Sequence, residues 1–179
     1  MLVKEILGEC LVKMGAEDFT SAAERTETQQ TLIGRLLAAF NIAYREAVTE
    51  YLPLVAEEEV EVRDGEIPAA SLGRKIIYPL SLVSEGKHYR IRTYPDRVVT
   101  DLSGKGVLRY AYLPPELAED DEIGDMRLTS SVLSDGTLAE LYYQDKVFDL
   151  AQSFDTDFRA ALGVLRYKGR ALRLKAGRW

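Results

Sequence analysis

Apolar positions recur at helical spacing at both ends of this chain and at a spacing of two between them. Val3, Ile6, Leu7, Cys10, Leu11 and Met14 share one helix face, which points Cys10 into a core, and Gly15 supplies a stop. The stretch from Phe19 to Gln30 is polar, and either Ser21 with Glu24 or Thr26 with Gln29 has the spacing of a capping box. A long second helix follows. Its apolar face runs through Ile33, Leu36, Leu37, Phe40, Ala43, Tyr44, Ala47, Val48 and Tyr51, and Pro53 closes it.

From Glu57 to Tyr112 the period drops to two. Val60 and Val62, Ile76 and Tyr78, Leu80 and Leu82, Tyr89, Ile91 and Thr93, and Leu108, Tyr110 and Tyr112 alternate as half-buried strands do. Asp64-Gly65, Leu72-Gly73, Glu85-Gly86, Pro95-Asp96 and Ser103-Gly104-Lys105-Gly106 supply the turns, and together these signals predict an antiparallel β-meander over 57–112. After an acidic loop with two prolines, Leu113 to Asp125, helical spacing returns in Leu133, Leu138, Leu141 and Tyr142. It resumes in Val147, Phe148, Ala151, Phe154, Phe158, Ala161, Leu162 and Leu165, which predicts a helical hairpin turning near Gln144-Asp145. The pattern implies an α+β fold: a helical bundle of an N-terminal helix, a long second helix and a C-terminal helical hairpin, with the meander inserted. One globular domain is expected over 1–165, with helices in 1–53 and 126–165.

Composition fits that picture. A chain of 179 residues, 46% hydrophobic and 29% charged, has the length and apolar content for a sizeable core. No apolar run is long enough to predict a membrane span, and Lys4, Glu5, Glu9 and Lys13 interrupt any signal-peptide core, so synthesis and retention in the cytoplasm are expected. The single Cys10 leaves no intrachain disulfide, which fits a reducing compartment.

Charge adds the first functional signal. Of the 23 Lys and Arg residues, six lie in 166–179 (Arg166, Lys168, Arg170, Arg173, Lys175 and Arg178), where no acid occurs; the other 17 stand against 29 acids in the rest. A body near −12 and a segment at +6 favour contact between copies or with an acidic partner. Leu172, Leu174 and Trp179 give the basic segment apolar anchors as well, and tryptophan is enriched at binding anchors. The partner-binding residues are therefore expected to be Arg166, Lys168, Arg170, Leu172, Arg173, Leu174, Lys175, Arg178 and Trp179.

Catalytic signals are weak. His88 is the only histidine, so a dyad or triad of the usual kind would need it, with Cys10 or a serine as nucleophile. Cys10 is on a core face and His88 follows Lys87 at the mouth of a hairpin, where a surface strand residue is the simpler reading. Ser103-Gly104-Lys105-Gly106 lacks the first glycine of a phosphate loop, and Val107 stands where a hydroxyl is needed, so a hairpin turn explains it. The acidic runs Glu57, Glu58, Glu59, Glu61 and Glu119, Asp120, Asp121, Glu122 lack the alternating ligands and central glycine of a calcium loop and read as solvated charge. No catalytic residue, cofactor or metal is expected. Two other classes stay open: a regulatory or nucleic-acid-binding module using the basic segment, and an enzyme using paired carboxylates.

Three stretches carry a resemblance. Asn41 to Leu54, with Tyr44-Arg45-Glu46-Ala47 leading to Leu52-Pro53-Leu54, resembles the long helix of small neck proteins of tailed phages and prophages of Gram-positive hosts. Val107 to Leu117, a strand entering the Pro114-Pro115 loop, and Ser134 to Tyr143 followed by Phe154-Asp155 and Phe158 to Leu162, resemble the strand and helical hairpin of the same head-tail adaptor (connector) family. The resemblance spans about Leu32 to Leu165, and many family members are nearly all helical where this chain has a large β region. It implies a structural protein that forms a ring beneath the portal, joins capsid to tail and lets DNA pass. It further implies a portal protein and other neck proteins as partners, a monomer in solution until a template is present, and residence in the bacterial cytoplasm and then the virion neck. An acidic body suits such a channel, because it repels phosphates.

Overall fold

The computed structural model describes residues 1–17, 19–20, 25–125 and 127–169, the last three by backbone alone. The chain is α+β and forms two compact units, Met1–Ala47 with Glu116–Trp179, and Val48–Pro115.

The first unit is helical. It contains α1 (Val3–Lys13), α2 (Glu27–Glu46), α3 (Ser130–Gln144) and α4 (Phe148–Gly169). Thr26 and Gln29 form the capping box of α2: the Gln29 amide donates to Thr26 Oγ1 at 3.3 Å, and the Thr26 amide donates to Gln29 Oε1 at 2.9 Å. The other box, Ser21 with Glu24, lies outside the described residues. Helix α3 packs against α1, α2 and α4, and this contact on several sides buries Leu133, Gly136, Leu138 and Leu141 together with Ser134 and Thr137. The two buried hydroxyls donate to Ser131 O at 2.9 Å and to Leu133 O at 2.7 Å, so neither is left unsatisfied. Gly136 lets α4 approach closely, since a Cβ there would stand 2.7 Å from the ring of Phe158.

Two expectations need correction here. Helix α4 runs on to Gly169 instead of ending at Leu165, so the basic segment begins inside a helix. Val147 and Phe148 do not continue the core face; they are exposed at the α3–α4 turn. The long second helix forms as expected, with Ile33, Leu36, Phe40, Ala43 and Tyr44 buried, and the chain then continues through a π-helical turn, Ala47–Tyr51.

The second unit contains seven strands: β1 (Val55–Val62), β2 (Glu66–Pro68), β3 (Ile76–Ser84), β4 (Lys87–Tyr89), β5 (Ile91–Thr93), β6 (Arg97–Thr100) and β7 (Gly104–Tyr112). They make two antiparallel sheets, in the orders β1-β7-β3-β4 and β2-β6-β5. A meander would place strands side by side in chain order; instead β7 enters between β1 and β3. The strand predicted across Tyr89, Ile91 and Thr93 divides at Arg90, its first part pairing with β3 and its second with β6. The turns at Asp64-Gly65 and Glu85-Gly86 have positive φ at both residues, as tight hairpins require. Ser103 to Gly106 is not a hairpin turn. Gly104 opens β7, and Gly106 lies within it, where a Cβ would come 2.8 Å from Leu102 and 3.1 Å from Leu82. Val60, Val62, Ile67, Leu82, Leu108 and Tyr110 lead the apolar cluster that the two sheets share.

Candidate functional site

The residues assigned to partner binding fall at the end of α4 and beyond it. Arg166 is exposed on the helix, Lys168 lies in its last turn, and Arg170, Leu172, Arg173, Leu174, Lys175, Arg178 and Trp179 lie outside the described residues. The two residues weighed for catalysis sit in different units. His88 is an exposed residue of β4 opposite Val83. Cys10 is fully buried, its Sγ 3.8 Å from Ser134 O, and burial pushes its thiol up to about 12, which keeps it protonated at neutral pH.

The two acidic runs are exposed, as solvated charge is, except at Glu58 and Glu119, which are half-buried; several of the exposed carboxylates are nevertheless paired. In the second, Glu119 pairs with Arg25 at 2.8 Å, Asp120 with Lys4 at 3.0 Å, and Glu122 with the amino group of Met1 at 3.3 Å. The Asp121 carboxylate accepts from the Ala118 amide at 2.7 Å, and backbone bonds from Val3 to Asp121 and from Ile123 to Met1 complete the join. This loop ties down the start of α1. Among the described residues no group of three or more His, Cys, Asp or Glu is placed to hold a metal ion.

The first run is divided by the alternation of β1. Glu58 turns inward and accepts hydrogen bonds from the Tyr110 hydroxyl at 2.5 Å and the Gly73 amide at 3.0 Å. Those bonds, Tyr110 first, hold the Glu58 carboxyl below its ordinary value, and burial together with the Glu58 carboxylate pushes Tyr110 up to about 12. Glu57, Glu59 and Glu61 are exposed on the other face. Glu57 approaches Arg109 at 3.5 Å and Glu61 approaches Arg63 at 2.8 Å, while Glu59 faces Val107 across the ladder and has no ion pair among the described residues.

β1 is also the open edge of its sheet. The Tyr112 amide donates to Leu54 O at 3.1 Å, which sets the phase of the β1–β7 ladder. Hydrogen-bonded pairs alternate along an antiparallel ladder, so Ala56, Glu58, Val60 and Val62 bond inward to β7, and the backbone groups of Val55, Glu57, Glu59 and Glu61 face outward. A groove of about 430 Å³ runs beside this edge, lined by Glu59, Val60, Glu61, Asp64, Glu66 and Arg63 among others.

Two further surfaces could hold a partner. Arg74, Lys75, Tyr112, Leu113, Pro114 and Pro115 line a groove of about 510 Å³ in the β unit, where the Arg74 guanidinium lies 4.3 Å over the Tyr112 ring. The residues lining it include no carboxylate, histidine, cysteine, serine or threonine. On the helical unit, Tyr143, Val147, Phe148 and Leu150 are each exposed at or just after the α3–α4 turn; Phe148 is 60% exposed and its ring centroid lies 6.5 Å from that of Tyr143. The sequence reading missed this tip because Val147 and Phe148 continue the apolar spacing of α4. Their position next to the predicted turn at Gln144-Asp145 was the available signal. No protein-family model matches this chain, and no curated protein does.

Proposed function

We propose that this chain is a structural subunit that joins other protein chains, specifically a head-tail adaptor of a tailed phage or prophage that forms a ring beneath the portal and lets DNA pass. The observation that carries this reading is the exposed aromatic pair at the α3–α4 turn, Tyr143 and Phe148, with Val147 exposed beside it, since large apolar side chains left in water at one place mark sites of protein contact. The charge division supports it, with an acidic body to line a DNA channel and a basic segment with apolar anchors to reach a portal or a neighbouring subunit. In this reading the four helices are the bundle that carries the contacts, the β unit is an insert, and chemistry by His88 or Cys10 has no part. Deleting the gene from the phage or prophage that encodes it is the test. The expected result is heads and tails that form separately and do not join; complete virions from the deletion strain overturn the proposal.

A further inference from the structure

We infer that the open edge of β1 receives the basic segment of a second copy of this chain, which adds a strand formed by residues 171–176 and sets Arg173 and Lys175 beside Glu57, Glu59 and Glu61. The inference rests on the assembly reading above and names the surface that would serve it.

The receiving side is complete on one face of the β unit. The outward backbone groups of Val55, Glu57, Glu59 and Glu61 have no protein partner among the described residues, so a row of donors and acceptors is available for an incoming strand. Side chains on the two faces of this edge differ. Glu57, Glu59 and Glu61 are exposed on one, and Val60 and Val62 belong to the apolar cluster on the other. The adjoining groove adds Asp64 and Glu66, with Arg63 the cation lining it. Glu59, without an ion pair among the described residues, lines it as well.

The donor carries the complementary alternation. Leu172-Arg173-Leu174-Lys175-Ala176 reads apolar, basic, apolar, basic, small. As a strand alongside β1, it would set Arg173 and Lys175 on the glutamate face and Leu172 and Leu174 on the face of Val60 and Val62. Neighbouring side chains on a shared face lie about 4.5–5.5 Å apart, close enough for ion pairs. The row of glutamates also rejects a second β1, because like charges directly opposite one another are unfavourable. The edge is therefore closed to its own kind and open to a basic strand. Donor and acceptor are different surfaces of one chain, so the contact can repeat head-to-tail, and it makes a ring where the rotation between copies closes.

Trp179 is the only tryptophan and lies three residues beyond the donor strand, so its fluorescence reports docking in the unlabelled full chain. Emission is measured over a dilution series, at about 0.1 M and about 1 M salt, where the Debye length falls from about 10 Å to about 3 Å. The expected result is a shift to shorter wavelength with rising concentration, weakened by salt. Its midpoint should rise about tenfold or more in Glu59→Lys/Glu61→Lys and recover when that variant is mixed with Arg173→Glu/Lys175→Glu. An emission maximum that does not change with concentration overturns the copy-to-copy contact, whether the segment stays in water or folds onto its own chain. A shift untouched by the Glu59 and Glu61 changes overturns the β1 edge. Normal virion production by Glu59→Lys/Glu61→Lys alongside either of those results would sink this inference alone, leaving the adaptor reading standing.

Discussion

Adding one methyl group at Gly136 tests how closely α3 and α4 pack, and with it the support of the apolar tip at their turn. In an unobstructed helix Gly→Ala stabilises by about 1 kcal/mol, because alanine loses less backbone freedom on folding. At Gly136 the new Cβ would stand 2.7, 2.8 and 2.9 Å from three ring atoms of Phe158, against about 3.5–4.0 Å for an ordinary carbon contact. Phe158 is among the largest fully enclosed side chains and has little room to retreat. Overpacking of this kind costs about 1–3 kcal/mol, which offsets or exceeds the propensity gain of about 1 kcal/mol, so Gly136→Ala should lower stability by up to about 2 kcal/mol net. Gly34 on α2 is the control. A Cβ there meets nothing within 4 Å, and the same substitution should raise stability by up to about 1 kcal/mol. Urea unfolding followed by circular dichroism gives both values. Trimming the ring in Phe158→Leu should remove most of the penalty of Gly136→Ala, a non-additivity that a double-mutant cycle reads directly. If Gly136→Ala stabilises the chain as Gly34→Ala does, α3 and α4 do not meet at this point.

Other outcomes follow from the same coordinates. Phe40 is fully buried and stacks on Tyr44 with centroids 5.8 Å apart, so Phe40→Ala should cost about 3–5 kcal/mol, and an unchanged melting temperature would refute the core assignment. Cys10→Ser should cost about 1–3 kcal/mol by placing a hydroxyl on a buried apolar face, and exposed His88→Ala should be close to silent; loss of function in a stably folded His88→Ala chain would contradict the structural role. The Glu58 carboxyl has a folded pKa below its ordinary value. Its contribution to stability is therefore present above the unfolded pKa of about 4.3 and is lost as pH falls through the lower folded value. In Glu58→Gln that acid-dependent loss should shrink, and an unchanged acid unfolding profile would show that the Tyr110 and Gly73 contacts do not favour the carboxylate.

The helices were legible because a single local pattern decides each of them. Ile33 to Val48 repeats at helical spacing without interruption, and Thr26 with Gln29 marks the start. Sheet order was not legible, because β7 chooses β1 and β3 as neighbours through packing of Leu108 and Tyr110 that no local signal encodes. β2 and β6 span three and four residues, too few to show a period. Gly104 and Gly106 read as a turn because glycine marks turns and tightly approached strands alike. The run Glu57 to Glu61 held its division in plain view: a period of two sends Glu58 to the face opposite Glu57 and Glu59. What the pattern could not show was the partner on each side, Tyr110 for Glu58 and open water for Glu59. The acidic loop looked like free charge for a similar reason, since Arg25, Lys4 and the Met1 amino group come to it from far along the chain.

The most direct test of the central claim is co-assembly with the portal protein encoded in the same genome. The purified full chain is added to portal rings, and the complexes are weighed by mass photometry and imaged by electron microscopy. The account predicts a second ring of this chain seated on one end of the portal. It also predicts weaker recruitment when Phe148→Ser alters the apolar tip, or when Arg173→Glu/Lys175→Glu reverses two charges of the basic segment, with both variants folded. Portal rings that stay bare at every concentration of folded chain would contradict it.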